Sequence, residues 1–250
     1  MELYYFSSGP RERVLRAIIE AGHTVLGVFV TDPNVWPKVQ PTVDIAKRRG
    51  IPVRIVTKDT LVKVADLVGG QVCLSAGFAY LFPEQFIQST KICLNVHGTL
   101  LPKYRGARTL NWVIENGDPE SGVSVHQIDT GVDSGPILLQ RSFPVSIFDT
   151  GRSLYRKTIE FEPGVVVEAV ALYESGKAVF SPQEDPAVVR HPDRVPEHSE
   201  VDAALPLQSL YNKIRAADPE RFPAYFYVGG EKVCITLWRP SKAPQEADLV

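Results

Sequence analysis

Apolar residues in the first 180 positions follow two rhythms: short continuous runs, and stretches in which they recur every three or four residues. Leu3-Tyr4-Tyr5-Phe6 is a run of the first kind, ended by Ser7-Ser8-Gly9-Pro10. Val14, Leu15, Ile18 and Ile19 then share one helical face up to Ala21-Gly22. Thr24 to Val30 is nearly all apolar and rich in β-branched residues, which predicts a strand covered on both faces, as in a parallel sheet. The chain therefore opens with a predicted strand-helix-strand unit.

Asp32-Pro33 and Trp36-Pro37 mark a loop, Val43 to Arg49 predicts a short helix, and Ile51 to Val56 a strand. Gln71 to Leu74 and Ile92 to Val96 predict two more strands, with a short helix from Pro83 between them. Val123 to Ile128 and Pro136 to Gln140 follow with no helical stretch in between, so they are expected to pair antiparallel. Thr150 to Ser175 predicts a long helix capped at Asp149 or Thr150, with Pro163-Gly164 as the place for a kink. The whole is an α/β pattern, a doubly wound and mostly parallel sheet over residues 1–180.

Residues 181–200 are Pro-rich and poor in large apolar side chains, as expected of a linker or irregular surface segment. Residues 201–250 predict a small α+β tail module. Its helix runs from Leu205 to Ala217, and Ala224 to Val228 and Val233 to Trp238 form a hairpin about Gly229-Gly230.

Charge and composition narrow the function. Of the 250 residues, 27 are Lys or Arg and 29 are Asp or Glu, a net charge of -2, so no general attraction for nucleic acid is expected. Cys73, Cys93 and Cys234 form no CxxC motif and are expected to be buried thiols of a reducing compartment. No secretory leader and no membrane-length apolar run is apparent, which predicts a cytoplasmic protein. His23, His97, His126, His191 and His198 lack the paired spacing of zinc ligands, so no metal is expected.

The densest chemical signal is Asn95-Val96-His97-Gly98-Thr99-Leu100-Leu101-Pro102-Lys103-Tyr104-Arg105-Gly106. Alternation places Asn95 and His97 on one face at the carboxyl end of a strand, where open α/β sheets hold their ligands. A second segment, Gln127 to Pro136, carries Asp129 and Asp133 among glycines. A carboxylate can orient an imidazole and raise its basicity, while Asn donates to a developing oxyanion. That set suits attack of an amine on an acyl carbon without a covalent enzyme intermediate.

These segments, together with Leu110-Asn111-Trp112, Gly117-Asp118 and Glu120 to Val123, resemble the folate-dependent formyltransferases, in particular the group that acts on methionyl-tRNA and UDP-aminoarabinose. The resemblance implies a Rossmann-like formyltransferase fold. It also implies 10-formyltetrahydrofolate as co-substrate and Asn95, His97 and Asp133 as the catalytic trio. The family's aspartate stands 36 positions after its histidine, which selects Asp133 over Asp129. The folate-binding loops it implies are Ala79-Tyr80-Leu81 and Asp129-Thr130-Gly131-Val132, with Phe78 and Phe82 open to a core role. Lys103, Arg105 and Arg108 are the expected cations for the acceptor's phosphates, with Arg11 and Arg13 as further candidates. Ala107 stands where the aminoarabinose enzymes carry an arginine. The tail, with Leu210 to Ala216, Asp218-Pro219 and Pro223-Ala224-Tyr225-Phe226, looks like that of enzymes acting on nucleotide-linked amino sugars, and its charges cancel. The expected partners are thus folate and a nucleotide-linked amino sugar, with a homodimer left open and neither nucleic acid nor membrane. Methionyl-tRNA as acceptor, and a hydrolase using water, are the alternatives.

Overall fold

The computed structural model describes residues 1–184 and 191–242. Residues 185–190 of the expected linker and 243–250 of the expected tail module, with Glu246 and Asp248, lie outside the described residues.

Alternation in the strands builds a core on each side of one sheet. In β1 (Glu2–Ser7), Leu3 and Tyr5 face one way and Phe6 the other, and all three are fully buried. The first face packs under α1 (Glu12–Glu20), α2 (Gln40–Arg48) and the long α6 (Gly151–Glu174), through Val14, Leu15, Ile18, Val43, Val166 and Val170. The second packs under α3 (Leu61–Val68) and α4 (Glu84–Ser89), through Leu61, Val64, Val68 and Phe86.

The remaining strands are β2 (Thr24–Val30), β3 (Val53–Ile55), β4 (Val72–Ala76), β5 (Ile92–His97), β6 (Glu120–Gln127) and β7 (Ile137–Pro144), in the order β3-β2-β1-β4-β5-β6-β7. The first five are parallel; β5–β6 and β6–β7 are antiparallel. The expected doubly wound α/β sheet with an antiparallel extension is what forms. β3, at the sheet edge, is shorter than its apolar pattern, and its Arg54 and Ile55 are exposed. Thr150 caps α6 by accepting from Ser153 N while Ser153 Oγ accepts from Thr150 N, and the helix continues through Pro163.

Cys73 and Cys93 are buried register partners on β4 and β5, and burial pushes the Cys93 thiol well up. Cys234 departs from expectation: it is exposed, because β9 (Glu231–Ile235) pairs only with β8 (Ala224–Val228) and turns most of its residues to solvent. The turn between them places Gly229 at φ 58° and Gly230 at φ 87°, the left-handed pair that a two-residue hairpin loop requires.

α7 (Leu207–Ala216) docks on α5 (Leu110–Glu115). The nearly buried Arg215 donates from Nη1 to the carbonyls of Asp149 at 2.7 Å and Ser146 at 3.2 Å, joining the tail helix to the start of α6. Residues 191–200 hold one short 3-10 turn, Pro196–Ser199, and are anchored to α5. Trp112 stacks on His191 at 4.9 Å and donates from Nε1 to Pro192 O, while Arg194 pairs with Glu115 and covers the Trp112 ring.

Candidate active site

Parallel strands end together, and their carboxyl ends leave a crevice where the helices on the two faces diverge. Here that crevice is a cavity of about 1080 Å³, lined by Asn95, His97, Asp133, residues 77–82, residues 128–133 and parts of the tail.

Asn95 and His97 reach it from one face of β5, two residues apart. Asp133 comes from the loop between β6 and β7, where its backbone is held in the left-handed region at φ 48°. Gly106 N donates to the carboxylate Oδ2 at 3.0 Å, Asn95 Nδ2 donates to Oδ1 at 3.2 Å, and His97 Nδ1 lies 3.4 Å from Oδ2. Burial would raise the Asp133 pKa; His97 and then His126, with the Gly106 amide, outweigh it and hold the carboxyl well below the usual carboxylate range. His97 Nε2 is 2.7 Å from the Tyr104 carbonyl, which can only accept, so Nε2 carries a proton and Nδ1 is the nitrogen turned to Asp133. His191 stacks on Tyr104 at 5.3 Å, so the segment around residue 191 backs the loop that orients His97.

The structure adds a residue that the sequence reading passed over. His126, 2 % exposed, is the β6 register partner of Asn95. Its Nε2 lies 3.3 Å from Asp133 Oδ1 and 3.2 Å from Asn95 Nδ2, and its Nδ1 is 2.9 Å from the Gln127 carbonyl. The available signal was register: a polar residue on β6 facing the strand that carries Asn95.

Asp129 stays apart from this cluster. Its Oδ1 accepts from Gly131 N at 3.0 Å and Ser134 Oγ at 2.8 Å, holding the loop that carries Thr130, Gly131 and Val132 along the cavity. On the opposite loop Ala79 N donates to Ser8 Oγ at 2.9 Å, Tyr80 is half-buried and Leu81 is exposed. Phe82 is core: it meets Phe6 and Phe86 edge to face or tilted, and Phe78 joins them.

The three expected acceptor cations divide. Arg108 lines the cavity. Lys103 is instead bonded to Asp118 at 2.7 Å, and Arg105 Nε donates to Gln183 Oε1 at 3.0 Å; neither is part of the cavity wall. The wall takes further cations from Arg11, Arg152, Arg156 and Arg221. Arg11 is bound 2.6 Å from Glu162, a buried carboxyl that burial pushes up to about 7 against the attraction of Arg11. Arg13 lies at the surface, 3.6 Å from Glu160. Among the described residues no group of three or more His, Cys, Asp or Glu is arranged to hold a metal, and no helix is long and apolar enough to cross a membrane.

The formyl transferase family model matches residues 20–170, which carry Asn95, His97, His126 and Asp133. The chain belongs to the formyl transferase family. It is 31% identical to the methionyl-tRNA formyltransferase of Synechococcus sp. (strain JA-3-3Ab) over 82% of this chain, and spans 63% of that relative's length. The fold matches a 4-N formyltransferase from Francisella tularensis with a TM-score of 0.78 and 19% identity, covering 94% of this chain and 96% of that one. It also matches a sugar 3N-formyl transferase solved with dTDP and 5-N-formyl-THF, with a TM-score of 0.71 and 21% identity, covering 86% of this chain and 78% of that one.

Proposed function

We propose that this family member transfers the formyl group of 10-formyltetrahydrofolate to the amino group of a nucleotide-linked amino sugar. The observation that carries the reading is the junction of Asn95, His97 and Asp133 at the wall of the cavity.

The chemistry follows from the donors present. As an amine adds to the formyl carbon, the formyl oxygen gains charge, and Asn95 supplies the Nδ2 hydrogen that it does not give to Asp133. The attacking nitrogen must be a free base, and the His97 and Asp133 pair accepts its proton through Nδ1. That proton ends on N10 of the folate as the bond from N10 to the formyl carbon breaks, so the step balances. Residues 78–82 and 128–132 offer the folate a half-buried tyrosine, an exposed leucine and main-chain donors and acceptors.

The acceptor is argued from the rest of the cavity. Several arginines in its wall suit a phosphate-bearing small molecule, while the net charge of -2 gives no field for a polyanion. The solved dTDP complex of a sugar formyl transferase on the same fold supports that class. The test offers nucleotide-linked 3-amino and 4-amino deoxysugars, initiator methionyl-tRNA and buffer alone side by side, with tetrahydrofolate release as readout. Release should require an amino sugar and decline only shallowly with salt, since few phosphates are engaged. Efficient formylation of the tRNA with no sugar turned over, or release without any acceptor, would overturn it.

A further inference from the structure

One charged pair borders the cavity without entering the proposed chemistry: Arg11, the residue before α1, and Glu162 in the middle of α6. Glu162 is 1% exposed, on a helix face that otherwise buries Thr158, Val165 and Val166. An apolar side chain would fill such a position with no charge to desolvate, and a buried ion pair adds little net stability over one. What the pair does supply is a fixed geometry between the elements it joins.

Arg11 sits at a junction of three of them. Tyr5 Oη donates to the Arg11 carbonyl at 2.9 Å, which ties its backbone to β1. Its side chain lies against the loop that follows β4: a Cβ added at Gly77, where φ is 62°, would stand 3.4 Å from Arg11 Cγ and 3.6 Å from Cζ. The same loop is held by the residues just ahead of Arg11, since Ser8 N donates to the Gly77 carbonyl at 3.1 Å and Ser8 Oγ accepts from Ala79 N. At the other end of the pair, Glu162 Oε2 lies 2.6 Å from Arg11 Nε. Its Oε1 would stand 3.7 Å from a Cβ added at Gly98, the residue after His97. One ion pair thus runs from the loop of residues 77–82 to the end of β5.

We propose that Arg11 and Glu162 are positioning residues for the formyl donor: the pair braces the loop at Gly77 against the end of β5 and so holds residues 78–82 ready for the folate. This rests on the reading of residues 78–82 as one wall of the folate site. The groups around the pair are Tyr5 from β1, Glu12 from α1 and Tyr155 from α6, whose Oη accepts from Arg11 Nη1 at 3.4 Å; His97 turns its ring to Asp133 and the Tyr104 carbonyl instead. Glu162 changes charge near neutrality, since burial, opposed by Arg11, raises its carboxyl to about 7.

Equilibrium titration of the full chain with 10-formyltetrahydrofolate tests the brace. Glu162→Gln keeps the shape and removes the charge. It should weaken folate binding at a pH of about 8 by roughly 2- to 30-fold, the range for a residue coupled to a ligand it does not touch. The gap to wild type should close as pH falls from about 8 to about 6, because Glu162 is then protonated in the wild type as well. Replacing both residues, Arg11→Met with Glu162→Leu, strands neither charge, so thermal unfolding should come at or above the wild-type temperature while folate affinity stays low. That variant carries the test should Glu162→Gln fail to fold. Wild-type folate affinity in either variant, or a Glu162→Gln gap that is the same at both pH values, would overturn the brace. Tyr80→Ala, in the loop itself, separates the two readings. Weakened folate binding there, with Glu162→Gln at wild-type affinity, refutes only the brace, and normal folate binding in Tyr80→Ala refutes the loop reading and the brace with it.

Discussion

At the scale of single residues the site turns on one ring nitrogen. Because the Tyr104 carbonyl engages His97 Nε2, the proposed proton transfer falls to Nδ1, beside Asp133. Replacing His97 by Ala or Asn is expected to lower turnover by about 10²-fold or more while folate binding changes little, and steady-state kinetics with direct folate titration separates the two. Unchanged turnover would remove His97 from the mechanism. Asp133→Asn should lose comparable activity, whereas Asp129→Asn, which disturbs only bonds within its loop, should lose less. Asp133 also ties stability to pH. Its folded-state pKa is depressed, so the stability it adds is complete above the unfolded value near ~4 and fades as pH falls below it. The gap in urea midpoint between wild type and Asp133→Asn should therefore narrow as pH drops from about 7 toward about 3, and a gap that widens would contradict the assignment. Asn95 and His97 were legible in the sequence because alternation puts both at the end of one apolar strand. Asp133 emerged only through its spacing in the family pattern. His126 did not emerge at all, since Val123, Ser124, Val125 and His126 read as an ordinary strand until the register sets His126 opposite Asn95.

At the scale of elements, the loop from β6 to β7 is shaped by close packing that sequence patterns register only as a glycine. A Cβ added at Gly135 would stand 1.9 Å from the Gln127 carbonyl oxygen, in main chain that cannot move without dragging β6. Gly135→Ala is expected to destabilise the fold by roughly 1–3 kcal/mol and to displace Asp133, so that turnover falls as well. Denaturant unfolding and kinetics on the same sample check both, and wild-type values for both would show that the loop has room to shift. Most elements could be read from apolar rhythm, since the sheet is buried on both faces and its strands need no turn geometry to be recognised. α3 carries helical spacing in Leu61, Val64, Ala65 and Val68, all buried, but no side chain caps its start. α5, at six residues, is too short for its periodicity to stand out, and its place is set by packing against α7.

At the scale of the whole molecule, the tail helps build the cavity. Arg215 ties α7 to the start of α6, Asn111 Nδ2 donates to the Ala216 carbonyl at 2.5 Å, and the turn that follows adds Phe222 and Arg221 to the wall. None of this was visible as sequence pattern, because each bond joins residues distant along the chain. In the proposed reaction a folate held by two loops of the sheet passes its formyl group to an amine bound in the same cavity. The most direct measurement follows a labelled formyl carbon from 10-formyltetrahydrofolate in a single turnover with a nucleotide-linked amino sugar. The label should appear on the sugar nitrogen, one for each tetrahydrofolate released, and transfer should stop when the sugar is omitted. Label released as free formate at the same rate with and without the sugar would contradict the proposed transfer.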